Sequence, residues 1–304
     1  MILALWFAVA QPVWFCNRRS AVSVDPSKLK RHVEMISLRL SPRDYQHTDN
    51  LDKCADYIEQ HFRNAGAAVE SQTFTEDGKI YRNVIGRFGV GKGAKVVVGA
   101  HYDACGPMPG ADDNASGVAA LLELADLLGR SPQEREVELV AYVLEEPPFF
   151  RTPSMGSAIH AKRLAGEKQT IKGVIVLEMV GCFHDAPFSQ SYSLPPLYLL
   201  YPNRGNFIAV VGRWDQGAWI KKVKAGMQGT SDLPVRSIRA PMFVPGVDFS
   251  DHLNYWSYGI NAVMVTDTAF LRSATYHTSD DTPDKLDYRR MAEVVVAVFE
   301  TIKL

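Results

Sequence analysis

Residues 94–103, AKVVVGAHYD, run from three consecutive valines into His101 and Asp103. A short apolar run ending in polar side chains reads as a buried central strand whose carboxyl end carries the polar pair. On its amino-terminal side, DNLDKCADYIEQHFRNAG (49–66) spaces Leu51, Cys54, Ala55, Ile58, Phe62 and Ala65 as one helical face, with Thr48 or Asp49 as cap and Gly66 as stop, and YRNVIGRFG (81–89) reads as a strand. On its carboxyl side, NASGVAALLELADLLG reads as helix, VELVAYVLEE as strand, SMGSAIHAKRLAG as helix and IKGVIVLEMVG as strand. That alternation predicts a three-layer α/β sandwich, a mostly parallel sheet with helices on both faces. The glycine-rich GVGKGAK (89–95) precedes a strand instead of joining a strand to a helix, so it reads as a hairpin turn and not a nucleotide cradle.

Further along, FIAVVG (207–212) predicts one more strand and WDQGAWIKKVKAG (214–226) a helix, within a proline-rich stretch at 182–247 that elaborates the mouth of a site. SDHLNYWSYG then predicts a short helix and GINAVMVTD the last central strand. DKLDYRRMAEVVVAVFETIKL predicts a terminal helix offering Leu286, Met291, Val294, Val295, Val298 and Ile302 for packing. We therefore expect residues 1–29 to be an apolar N-terminal segment and linker, and 30–304 a single domain.

The 304 residues carry 33 lysines and arginines against 34 aspartates and glutamates, a net charge of −1. That balance argues against a nucleic-acid partner, which would demand a basic excess or patch. With 46% apolar and 22% charged residues, the chain is composed to fold around a core.

The acidic and histidine residues fall in a pattern. His101 and Asp103 end one expected strand, Asp112 and Asp113 precede a helix, Glu145 and Glu146 end the next strand, Glu178 ends another, and His277 lies in the polar loop TYHTSDDTPDKLD. Ligands of open α/β sheets gather outside the carboxyl ends of the strands, so these side chains can share one crevice. So many carboxylates in one place require cations, and mixed imidazole and carboxylate donors suit zinc better than calcium or magnesium.

Taken in order, HYD (101–103), PGADDNASG (109–117), EE (145–146), LEMVG (177–181), FSDH (249–252) and YHTSDDTPDKLD (276–287) resemble the M28 zinc peptidases, the aminopeptidase and glutaminyl cyclase-like group, over roughly residues 40–304. The resemblance implies that Asp113 bridges two zinc ions, with His101 and Glu178 completing one site and Glu146 and His277 the other. It implies Glu145 as general base and Asp103 as the acid that orients His101. A bridging carboxylate suits two cations about 3.5 to 4 Å apart. Many members carry aspartate where this chain has Glu178. In the cyclase branch a single zinc would be held by Asp113, Glu146 and His277. Hydrolysis of the first peptide bond of a peptide with a free N-terminus is the favoured reading, with cyclisation of an N-terminal glutamine as the alternative and a silent peptide-binding domain third.

Other residues carry narrower expectations. Asp112 reads as a local turn or cap group, and Asp251 and His252 as structural neighbours of the site. His61, His160, His184 and Asp185 read as surface residues, Cys54 as core, and Cys105 and Cys182 either as a disulfide or as two buried thiols. Asn114 begins a sequon, but beside the metals no glycan would fit. Tyr192, Tyr198, Phe207 and Trp214 are candidates for a pocket wall. The opening MILALWFAVAQPVWF is too short to span a bilayer comfortably, and it suggests export or peripheral membrane attachment, with a disordered or surface-packed apolar terminus as the alternative. A lipidated Cys16 is disfavoured by Trp14 and Phe15 just before it. Oligomeric state has no signature in the sequence.

Overall fold

The computed structural model describes residues 2–14 and 18–304, so readings that fall on Cys16 lie outside the described residues. The helices are α1 (Ile2–Ala10), α2 (Pro26–Glu34), α3 (Thr48–Asn64), α4 (Gly117–Gly129), α5 (Gly156–Ala165), α6 (Gly217–Met227), α7 (Leu253–Trp256) and α8 (Tyr288–Ile302). The strands are β1 (Ala68–Glu76), β2 (Lys79–Phe88), β3 (Lys95–His101), β4 (Val137–Tyr142), β5 (Ile171–Glu178), β6 (Ile208–Arg213), β7 (Val235–Ala240) and β8 (Ala262–Thr266). All eight form one sheet in the order β1-β2-β4-β3-β5-β8-β6-β7. The central pairs β4/β3, β3/β5 and β5/β8 are parallel, while β1/β2, β2/β4 and β6/β8 are antiparallel.

Side chains leave a strand alternately on its two faces, so the valines of β3 divide between two cores. Val96, Val98 and Ala100 join the layer built by α2, α3, α4, α6 and α8, whereas Val97 joins the one built by α5, α7 and parts of 207–247. The packing residues expected of the terminal helix, Leu286, Met291, Val294, Val295, Val298 and Ile302, all lie in the first core, though Leu286 precedes α8, which begins at Tyr288. Gly99 is required by close approach: a Cβ there would stand 2.2 Å from the Tyr142 ring of β4.

Three expectations need correction. The 89–95 segment turns through left-handed Gly89, Gly91 and Gly93 but closes no hairpin, because β4 inserts between β2 and β3 and pairs with both. β1 was not anticipated; its AVESQTFTE is polar and only half buried, as suits a strand at the sheet edge. Nor was β7 at the opposite edge, where VRSIRA carries two arginines.

The N-terminal segment lies on the body. Val9 and Ala10 are buried, Ser237 of β7 and Lys224 of α6 both donate to the Ala10 carbonyl, and Gln11 donates to that of Gly217. No described helix is long and apolar enough to cross a membrane.

Candidate metal centre

Parallel strands β3, β4 and β5 end side by side and bring their last residues to one place. His101 is the last residue of β3, Glu145 and Glu146 follow β4, and Glu178 closes β5. Asp113 arrives from the segment before α4, and His277 from the loop before α8. Backbone strain marks His277 itself and the neighbours of two others, Leu144 before Glu145 and Met179 after Glu178: their φ angles are 55°, 62° and 47°, a region that side-chain-bearing residues seldom enter.

Asp113 presents its two oxygens to different histidines. Oδ1 lies 3.3 Å from His101 Nε2, and Oδ2 lies 3.0 Å from His277 Nε2. Around His101 Nε2 stand Glu178 Oε2 at 3.3 Å and Glu145 Oε2 at 3.9 Å; around His277 Nε2 stands Glu146 Oε2 at 3.2 Å. Ser250 donates to the same Glu178 Oε2 at 2.7 Å. All of these residues are buried except His277, which keeps 27% of its side-chain surface in solvent. His101, Asp113 and Glu146 offer donor atoms within 4.8 Å of one another.

The charge balance is poor. Burial pushes Glu145 well above the usual carboxylate range, with Glu146 and Glu178 adding to it against the pull of His101, and burial together with Asp113 raises Glu146 to about 7. Burial likewise raises Glu178. Burial opposes charge on the histidines, yet Glu178 and Glu145 carry His101 well above its ordinary value, and Asp113 and Glu146 carry His277 to about 10. Asp113, despite its burial, is held below the usual range by both imidazoles. Both ring nitrogens of His101 and Oε1 of Glu146 are buried without a hydrogen-bond partner. Unpartnered buried donors amid crowded carboxylates fit cations held between imidazole and carboxylate groups.

Backbone contacts explain how the site is held, and here the sequence reading missed functions. Asp103 stands 3.5 Å from His101 Nδ1, long for a hydrogen bond, while its two oxygens accept the Glu145 and Glu146 N–H groups at 3.2 and 3.1 Å. It fixes both glutamates more firmly than the histidine it was expected to orient. Asp281 accepts the N–H groups of Asp112 and Asp113. Asn114 is wholly buried, donates to the Leu177 carbonyl and accepts from Met179 N–H, clamping the chain on either side of Glu178; its sequon has no room for a glycan. The polar loop and the residues flanking each ligand were the only sequence signals for these roles.

The narrower expectations divide. Asp112 is no local turn group: it accepts from the distant Gly181 N–H, and burial and Asp267 raise its carboxyl well above its usual range. Asp251 and His252 are wholly buried near the site; burial lifts Asp251 to about 7 and lowers His252 to about 4. Cys54 is in the core, and Cys105 and Cys182 are free thiols in separate clusters, Cys105 beside Glu146 and His277, Cys182 beside Asp112 and Asp267. His184 and Asp185 are exposed and His61 half buried, but His160 is fully buried, bridging Glu138 and Tyr255.

An apolar pocket opens next to Glu178 and Tyr276. Tyr192 and Phe207 line it, as do Val211, Val247 and Met264. Tyr198 and Trp214 do not: Tyr198 is half exposed against Tyr192, and Trp214 packs outside under Arg239.

Comparison with known proteins gives a consistent picture. The model of peptidase family M28 matches residues 83–302. "Uncharacterized protein YfbL" of Escherichia coli K12 is 46% identical over 281 residues, covering 90% of this chain and 86% of that one. Aminopeptidase YwaD of Bacillus subtilis is 43% identical over 51 residues, 17% of this chain and 11% of its own. Among solved structures, a leucine aminopeptidase precursor from Bacteroides thetaiotaomicron superposes with a TM-score of 0.72 at 20% identity, covering 94% of this chain and 99% of that chain. The glutaminyl cyclase of the same species superposes with a TM-score of 0.70 at 20% identity, covering 93% and 99%. Both structural likenesses are likenesses of fold.

Proposed function

The chain belongs to peptidase family M28, and from that membership and its site we propose that it is a zinc-dependent aminopeptidase, releasing the first residue of peptides with a free N-terminus. The observation that carries the reading is Asp113, whose two oxygens face His101 and His277 at 3.3 and 3.0 Å amid carboxylates short of cations. Two zinc ions would be held by Asp113 between them, one with His101 and Glu178, the other with Glu146 and His277. Zinc, when bound, supplies Lewis acidity that polarises a carbonyl and lowers the pKa of water.

The chain's own residues do the rest. Glu145 takes the proton of the attacking water on its carboxylate and passes it to the leaving amine. Asp103, through the N–H groups of Glu145 and Glu146, keeps base and ligand in fixed relation. The pocket beside Glu178 takes the side chain of the departing residue, and its lining favours large apolar side chains. We take residues 30–304 as the one catalytic unit. Phe7 and Trp14, both exposed, support a peripheral membrane location, while export rests on the apolar opening sequence alone; vesicle sedimentation that Trp14→Ser leaves unchanged would remove the membrane part of this proposal.

The test is to measure zinc per chain by elemental analysis and to assay leucyl and alanyl anilides beside a glutaminyl peptide. Two zinc ions with anilide hydrolysis are expected. One zinc with cyclisation and no hydrolysis would replace this reading with the cyclase one.

A further inference from the structure

Cys105 lies in the turn just past β3, between the Asp103 that steadies Glu145 and Glu146 and the Asp113 that faces both histidines. Its sulfur, a carboxylate oxygen of Glu146 and a ring nitrogen of His277 all lie within 4.8 Å of one another. The thiol is free and half exposed, on a turn that continues through left-handed Gly106. Glu146 is 96% buried, judged by its 4% relative exposure, and its Oε1 has no hydrogen-bond partner. Cys182, in contrast, touches His184 and belongs to the cluster with Asp112 and Asp267.

We propose that Cys105 is a thiolate ligand of the cation held by Glu146 and His277. The assignment rests on the two-zinc reading and deepens it. On coordination the thiol proton leaves to solvent and the sulfur donates a lone pair to the metal; no electrons change hands. With Asp113, whose Oδ2 lies 3.0 Å from His277 Nε2, four side chains then serve that cation, against three for its neighbour at His101 and Glu178. The two ions become unequal. The sulfur-bound one is retained and selects thiophilic metals such as zinc, cobalt or cadmium, and the other exchanges readily.

Cobalt(II) reports this directly, because thiolate coordination gives a strong charge-transfer absorption in the near ultraviolet. Loading the full chain with cobalt should produce the band with the first equivalent. Cys105→Ser should abolish it and weaken retention of that ion at least about tenfold, a ligand loss costing no less than loss of an outer-shell partner; Cys182→Ser should keep it. Zinc X-ray absorption of the unaltered protein needs no variant and should require a sulfur at about 2.3 Å. A wild-type chain that holds two metals and cleaves peptides, yet shows no band and only nitrogen and oxygen neighbours, overturns this assignment alone. A band that survives in Cys105→Ser does the same. A wild-type chain that binds no metal overturns the zinc reading and this assignment with it.

Discussion

Strands β3 and β4 bury carboxylates at both of their ends, and the two ends are kept differently. At the amino-terminal end Glu138 is wholly buried, yet Arg87 donates to it at 2.7 Å, Lys95 at 3.3 Å and His160 meets it at 2.8 Å. Those partners hold Glu138 below the usual carboxylate range in spite of its burial. At the carboxyl-terminal end, Glu145, Glu146 and Glu178 are all raised and His101 has no hydrogen bond on either nitrogen. Lys95 and His101 are six residues apart on one strand, about 20 Å. The protein's own cations balance the carboxylate at one end and leave the carboxylates at the other short of positive charge.

The contrast can be broken at either end. Glu145→Gln should lower peptide hydrolysis by roughly 10²- to 10⁴-fold, the range of a lost general base, while elemental analysis finds zinc retained. Activity near wild type would remove Glu145 from the reaction. In the metal-free protein the same variant should leave stability unchanged or raise it, since it removes one of several crowded carboxylates. Glu138→Ala should do the opposite, costing about 3 to 5 kcal/mol in urea unfolding by taking from the buried His160 its carboxylate and leaving a hole between Arg87 and Lys95, which keeps Glu136 and Glu167. Equal losses from the two variants would show that both ends are structural.

Zinc should supply what the site lacks. Free zinc at about 100 times its Kd should stabilise the fold by about 2.7 kcal/mol, read as a shift in the unfolding midpoint that a chelator reverses. The pH dependence follows the same division. In metal-free protein Glu146 is raised from 4.5 to about 7, so its contribution is complete below the unfolded value and is lost as pH climbs through about 7. His277, raised to about 10, adds a contribution complete below 6.5 that is lost as pH climbs to about 10. Glu138 is depressed, so its contribution is present above the unfolded value and is lost only in acid. Metal-free protein should therefore lose stability from about pH 4.5 to about 10, first through Glu146 and then through His277, and zinc-loaded protein should not; parallel curves would mean that zinc does not bind this cluster.

The smallest effect belongs to neither end. Ala209→Leu, narrowing the apolar pocket, should cut kcat/KM for leucyl relative to alanyl substrates by roughly 10- to 100-fold, leaving zinc content unchanged. A uniform loss across substrates would mean that the pocket does not read the first side chain.

Much of this was legible in the chain. AKVVVGAHYD, VELVAYVLEE and IKGVIVLEMVG announce buried strands by unbroken apolar runs, and the polar residues past each run mark the end where ligands collect. The helical spacing in 284–304 named the packing face of α8. Local pattern said little where structure depends on distant partners. Nothing in YRNVIGRFG or AKVVVGAHYD states that a strand from residues 137–142 will separate them, and the half-polar edges β1 and β7 lack the apolar signature of a centre strand. His160 reads as polar, hence exposed, until Glu138 and Tyr255 are known to enclose it. Asp103 and Asn114 act through backbone groups, which carry no residue identity to be recognised.

The insertion of β4 between β2 and β3 has a consequence for synthesis. A ribosome delivers β2 and β3 one after the other, but the strand that joins them emerges only after all of α4 has been made. Until then the nascent chain holds two apolar strands with facing edges unpaired, open to any other extended segment. A chain halted before residue 137 should therefore aggregate, while one extended past residue 142 can close that gap.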